Sequence, residues 1–254
     1  LPDLSVLDPS QILPFVLVGF AAQLVDGALG MAFGVISNTL LISLGVAPRV
    51  ASATVHTAES FTTAVSAISH VLHRNVDWWL FVRIVLPGLI GGITGAYVLT
   101  SIPGEVARPL VLAYLTIIGL YLLWRGLMHR HVEKRPKVIV PLGLVGGFLD
   151  AAGGGGWGPI VTSNLLIQGA NPRNVVGTVN TAEFFLTVTI SATFIATLGL
   201  EAFTAVTIGL LIGGILAAPL GGFLAKRLHP DRMLTLVGVV LTVTSLYGVW
   251  NSLA

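Results

Sequence analysis

The chain has 254 residues, 54% of them hydrophobic and only 9% charged, with a mean hydropathy of +0.91 and a formal net charge of +2. Soluble domains carry roughly a quarter charged residues, so this composition cannot cover a water-facing surface and points to a chain immersed in a lipid bilayer. Its basic residues sit in short loops and not along one face, which gives no nucleic-acid partner. The absence of cysteine excludes disulfides, thiolate metal sites and cysteine nucleophiles.

Ten helical segments are expected in chain order, so the fold class is an all-α membrane protein. The first five fall at 11–25, 31–44, 49–73, 78–101 and 105–127, and the second five at 138–149, 157–168, 173–199, 203–228 and 231–252. Gly27-Ala28-Leu29-Gly30 separates the first two segments, and Gly153-Gly154-Gly155-Gly156 separates the sixth and seventh. These flanking segments are short. At 1.5 Å per residue, fourteen residues reach about 21 Å, less than the ~30 Å hydrocarbon core. Each pair therefore reads as a broken, re-entrant hairpin meeting near mid-membrane, tolerated only where protein or a water-filled cavity surrounds it.

The two groups of five are copies of one another. At an offset of 124 residues, Gly45–Glu59 aligns with Gly169–Glu183 without gaps, sharing Gly45/Gly169, Pro48/Pro172, Arg49/Arg173, Thr54/Thr178, Val55/Val179, Thr57/Thr181, Ala58/Ala182 and Glu59/Glu183. Chance matching of apolar helices yields shared Leu, Val and Ala, not Pro-Arg followed by Thr-Val-x-Thr-Ala-Glu. The chain divides into a first transmembrane repeat at 1–128, a basic linker at 129–137 and a second repeat at 138–254.

Charge sets the expected orientation. The linker carries Arg130, Lys134, Arg135 and Lys137 and belongs on the cytoplasmic side. Counting outward puts His73 and Arg74 inside and Ile102–Glu105 outside. If the second hairpin returns to its own side, Lys226, Arg227 and Arg232 also fall inside; read as a single crossing, it would place that cluster outside. The hairpin reading makes the halves opposite in orientation, and inverted repeats with broken helices are a recurring secondary-transporter design.

Four groups of residues converge on the expected midplane. The glycine breaks, with Gly30, Gly34 and Gly154, Gly155, Gly156, Trp157, would expose half-helix N–H groups able to bind an anion; small-residue helix packing is the competing account, and it covers Gly88, Gly91, Gly92, Gly213 and Gly214. Asp26 and Asp150 stand at the entrances to the breaks as helix caps or as coupling or substrate groups. Glu59 and Glu183 lie deep in apolar helices, where ionisable groups are costly and usually functional; they serve either proton coupling or bracing of the hairpins. His56 and Asn180 occupy matching positions beside Thr57 and Thr181, and Asn38, Thr39, Ser163 and Asn164 could complete a polar pocket, with Gln23 one turn before Asp26. Trp78, Trp79, Trp124 and Trp250 read as interfacial anchors, and His70 and His73 as interface residues. No HExxH, GxSxG or P-loop pattern occurs, so no enzyme, cofactor or metal is expected.

Gly19–Gly34 (GFAAQLVDGALGMAFG), Gly147–Pro159 (GFLDAAGGGGWGP) and the two Thr-Ala-Glu segments resemble the sulfite exporter family named for TauE and SafE, also called the toluene sulfonate uptake permease family. The resemblance spans nearly the whole chain. It implies a multi-pass plasma-membrane transporter of a prokaryote, moving sulfite, a sulfonate or another sulfur-containing organic anion. The residues themselves support a small anionic solute, with protons as a candidate coupling ion. A passive anion channel and a membrane scaffold without substrate are the competing readings, and oligomeric state is left open.

Overall fold

The computed structural model describes residues 9–29, 31–127, 135–199, 204–225 and 230–253. Gly30, most of the basic linker, and Lys226 with Arg227 lie outside the described residues. The described chain is helical: α1 (Pro9–Leu29), α2 (Phe33–Ser43), α3 (Pro48–Leu72), α4 (Trp78–Ser101), α5 (Gly104–Leu127), α6 (Val140–Gly153), a π-helical turn (Trp157–Thr162) running into α7 (Ser163–Ile167), α8 (Pro172–Leu198), α9 (Thr204–Ala225) and α10 (Pro230–Leu253). Three stretches among the described residues are long and apolar enough to cross a membrane: Trp78–Ser101, Gly104–Trp124 and Asn174–Leu198.

The shared Gly and Pro-Arg positions of the repeat are helix punctuation. Gly45 (φ 92°) and Gly169 (φ 94°) take the left-handed conformation just past α2 and α7. In both turns the following N–H bonds back over the last turn, Val46 to the Leu41 carbonyl and Ala170 to the Leu165 carbonyl. Glycine adopts this cap without a Cβ penalty. Pro48 and Pro172 then open α3 and α8, where proline's missing N–H costs nothing. Asp77 caps α4 by accepting from the N–H groups of Trp79 and Leu80 at 3.0 and 3.2 Å.

One expectation needs correction. α1 is not a short half-span: it has 21 residues, about 31 Å at 1.5 Å per residue. It continues past Asp26 through Gly27, Ala28 and Leu29, because a single glycine costs a helix only ~1 kcal/mol and the alanine and leucine that follow favour it. α2 with 11 residues and α6 with 14 are short as expected.

Helix pairs are held by close backbone approach at glycines. Gly19 and Gly213 bring α1 and α9 together, against Leu210 and against Val16 with Phe20; Gly88, Gly91, Gly95, Gly143 and Gly147 do the same for α4 and α6. Without side chains these positions let backbones meet, the packing device that replaces hydrophobic drive in lipid. Gly92 instead receives Leu186 and Ile190 of α8, while Gly214 has only loose neighbours in Gln23 and Phe33. α1 and α9 run in the same direction, as do α4 and α6, where Ile84 meets Gly143 and Gly88 meets Gly147. α3 and α8 run oppositely: Ser60 meets Ser191, Thr63 meets Thr187, and Asn75, just past α3, meets Gly177. α5 and α10 also run oppositely, with Leu112 against Gly248 and Leu123 against Gly238. Trp78, Trp79, Trp124 and Trp250 are all exposed on the outer surface, where a bilayer would meet them.

Candidate functional site

The two breaks pack against each other. Gly154, Gly155 and Gly156 have φ of 72°, 137° and 148°, a run that L side chains rarely follow. Any Cβ here would also collide with a neighbour: Asn38 at Gly154, the Gly34–Val35 backbone at Gly155, and the Tyr114 hydroxyl at Gly156. The carbonyls freed by the break are taken by side chains from the first repeat. Ser52 Oγ donates to the Ala151 carbonyl at 2.7 Å, Asn38 Nδ2 to Gly153 at 2.9 Å and Tyr114 OH to Gly155 at 2.9 Å. Buried backbone groups need such partners. Gly154–Gly156 are buried in this packing.

Each half-helix N-terminus is already capped by a carboxyl group of the chain itself. Asp150 Oδ1 accepts from the Trp157 N–H at 2.8 Å, and Asp26 Oδ1 accepts from the Phe33 N–H at 3.2 Å. The two bonds are repeat-equivalent, each spanning seven residues. Of the two roles open to these aspartates, the cap is the one their geometry displays.

His56 completes the second cap. Its Nδ1 lies 2.7 Å from the Ser52 carbonyl and its Nε2 3.0 Å from Asp150 Oδ2, with the side chain wholly buried. Both ring nitrogens lie within hydrogen-bond distance of an oxygen. Trp157 is fully buried too, donating from Nε1 to the Val179 carbonyl at 3.3 Å and pressing against Gly88.

Open space lies on the other side of the break. A cavity of about 240 Å³ is lined by Gln23 and Asp26 of α1, Phe33 of α2, Glu59, Thr62, Thr63, Ser66 and His70 of α3, and Val176, Asn180 and Glu183 of α8. This falls just below the ~300–1,000 Å³ typical of drug-sized ligand pockets, which suits a solute of few heavy atoms. Three carboxyl groups face it, and no lysine or arginine appears in its described lining. Glu59 is fixed from below, its carboxyl group lying over Gly34. Gln23 is 8% exposed, and its Oε1 has no protein partner among the described residues. A larger cavity of about 610 Å³, with Asp77, Trp79, Arg135 and Asn174 in its wall, sits at the helix ends, and its described lining includes none of Asp26, Glu59 and Glu183.

The predicted residues thus separate. Asp26, Glu59, Asn180 and Glu183 line the cavity. His56, Asp150, Trp157, Gly34, Asn38 and Gly154–Gly156 form the packed core beneath it. Thr57 and Thr181 bond back to the carbonyls of Ala53 and Gly177, at 2.8 and 2.7 Å, and Thr181 faces an apolar crevice with Phe184 and Phe185. Thr62, Thr63 and Ser66 escaped sequence reasoning, and His70, expected as an interface residue, lines the cavity with them. Their signal is helical spacing from Glu59, which puts one polar stripe along α3. Tyr114, whose ring covers Gly153, carried no signal in sequence.

A paired break, two buried Thr-Ala-Glu motifs and a near-complete set of helices invite comparison with known membrane proteins. The family model of the sulfite exporter TauE/SafE matches residues 15–248. The chain belongs to that family. Its members are membrane transporters and not enzymes, and this chain is a multi-pass membrane protein of the same kind. It is 42% identical over 252 residues to a probable membrane transporter protein, YtnM, of Bacillus subtilis (strain 168), covering 94% of this chain and 84% of the relative. It is 27% identical over 256 residues to a probable membrane transporter protein of Xylella fastidiosa (strain Temecula1), covering 94% and 93% respectively. No solved structure matches the chain significantly.

Proposed function

We propose that this protein is a secondary transporter of a small sulfur-containing anion, sulfite or an organosulfonate, whose passage is coupled to protons held on Glu59 and Glu183. One observation carries the reading: the glutamates ending the two copies of the Thr-Ala-Glu motif line the same cavity. A cavity with three carboxyl groups and no fixed cation in its described wall repels an anion unless protons enter with it. Protonated, the same groups become hydrogen-bond donors and, with the second Nδ2 hydrogen of Asn180, can hold sulfonate oxygens. The substrate class follows the family's description, and the coupling follows from charge balance. Gly154–Gly156, Asp150 and Trp157 then serve as the packed floor of the site, and Asp26 and Gln23 as part of its wall.

The halves are proposed to be inverted copies. Support comes from helix directions. Repeat-equivalent helices run oppositely in both pairs that meet, α3 with α8 and α5 with α10. The parallel packing of α1 with α9 further requires α2 to return toward the side where α1 began. If α1 and α2 crossed as one span, α1 and α9 would be antiparallel. Rocking of one half against the other would expose the site to each side in turn.

A ligand screen on purified protein tests the assignment. Sulfite and short sulfonates should raise the thermal transition of the wild type more at acid pH than at alkaline pH, and Glu183→Gln should remove that pH dependence. Stabilisation by none of these anions at any pH would contradict the substrate class.

A further inference from the structure

The polar cavity has a repeat-related counterpart, and that counterpart is closed. Shifting each wall residue by 124 gives what would line a matching cavity reached from the opposite side. Asp26 becomes Asp150 and Asn180 becomes His56. The polar stripe Thr62, Ser66 and His70 on α3 becomes Leu186, Ile190 and Phe194 on α8.

All three apolar residues are wholly buried, at 0% exposure. Gly92 of α4 receives Leu186 and Ile190, and the Phe194 ring lies 6.4 Å from the His56 ring. On the open side Asn180 bonds, among the described residues, to its own helix, Nδ2 donating to the Val176 carbonyl at 3.0 Å. His56 makes the equivalent bond to Ser52 and then reaches on to Asp150. A longer side chain and three apolar residues thus fill the space that Asn180, Thr62, Ser66 and His70 leave open.

Building on the transport reading above, we infer that the solute's second route runs through this counterpart, with His56–Asp150 as its latch and Leu186, Ile190 and Phe194 as its plug. The structure is then the state open toward the His70 end of α3, and passage to the other side requires the latch to part and the three apolar side chains to separate. An apolar plug seals because water gains no hydrogen bonds by entering it. A hydrogen-bonded pair in the same place fixes the closed arrangement at one geometry. In low dielectric such a pair strongly resists losing one member, so the latch favours the closed state until something replaces its bond.

Single cysteines in this cysteine-free chain provide the test, read with a membrane-impermeant maleimide on vesicles of each orientation. Ser66→Cys should react from its own side in every background. Ile190→Cys should be unreactive in the otherwise wild-type chain. In the His56→Asn background, which gives both repeats the same residue, it should react at least tenfold faster, and only from the side opposite Ser66→Cys. Ile190→Cys reacting from the Ser66 side, or staying unreactive when His56 is replaced, would overturn the latch. Monodisperse elution certifies folding, and His56→Gln is the substitute if His56→Asn fails that check. Solute protection of Ser66→Cys is recorded in parallel. Its absence counts against the transport reading, whereas its presence with an unreactive Ile190→Cys counts against the latch alone.

Discussion

Thr63 Oγ1 and Thr187 Oγ1 stand 3.4 Å apart, and they are the same position in the two repeats, separated by 124 residues. Each hydroxyl is also held by its own helix, Thr63 by the Glu59 carbonyl at 2.6 Å and Thr187 by the Phe184 carbonyl at 3.1 Å. If the halves are inverted copies, as proposed, equivalent residues touch only where the axis relating them passes between them. That place is one turn from Glu59 and Glu183, so the proposed solute site lies beside the seam along which the halves would move.

A Thr63→Cys/Thr187→Cys pair should therefore form a disulfide under mild oxidation, since sulfurs standing where these hydroxyls do have to close only from 3.4 Å to the ~2.05 Å of the bond. Transport in proteoliposomes should stop on oxidation and return on reduction, because the crosslink pins α3 to α8. Gel mobility after maleimide–polyethylene glycol labelling reads bond formation, and flux on the same sample reads its consequence. Full flux with the bond formed would exclude rocking at this seam.

The break at Gly154–Gly156 should tolerate no side chain. Gly155→Ala puts a methyl group into the Gly34–Val35 backbone while forcing alanine to φ 137°, a residue conformation costing ~1–3 kcal/mol before any clash. Folded yield and thermal transition in detergent should fall sharply. Gly104→Ala, where nothing lies within 4 Å, should change neither.

Ala32 carries the opposite expectation. Its φ of 114° is a glycine-like conformation, and its repeat counterpart is Gly156. Ala32→Gly should relieve strain at that position and stabilise the fold by about 1 kcal/mol, the net of relief against glycine's larger unfolded-state entropy. A thermal scan should move upward by a few degrees.

Orientation can be read from single cysteines placed beside helix termini. Val76→Cys and His229→Cys should label only from the cytoplasm and Gly104→Cys only from outside. External labelling of His229→Cys would remove the inverted arrangement.

Much of the fold was legible because its punctuation is chemical. Gly45 with Pro48 and Gly169 with Pro172 mark helix ends through backbone conformation, and Asp77 marks a cap, so neighbouring helices fall within a few residues of expectation. α1 ran longer because Gly27 is compatible with both a break and a helix, and only the packed structure selects. At the site, Glu59 and Glu183 stood out by the cost of placing carboxyl groups in apolar helices. The glycine run was ambiguous for a physical reason: a backbone that must approach an anion and one that must approach another backbone both exclude Cβ. His56 could not be assigned in sequence, since its partner Asp150 is 94 residues away. Thr62 and Ser66 were hidden because Thr and Ser on membrane helices usually satisfy themselves by bonding back one turn, as Thr62 and Thr63 also do here with the Glu59 carbonyl, and His70 stood near a helix end, where a histidine reads as an interface residue.

Proton movement driven by solute is the most direct measurement of the central claim. Proteoliposomes holding a pH-sensitive dye should show a pH change on addition of a sulfonate or sulfite gradient with wild-type protein. Glu59→Gln and Glu183→Gln should each lower that signal at least tenfold while the protein elutes as wild type. Solute flux that continues at the wild-type rate in both variants, with no pH change in any of the three proteins, would contradict coupling at these carboxyl groups.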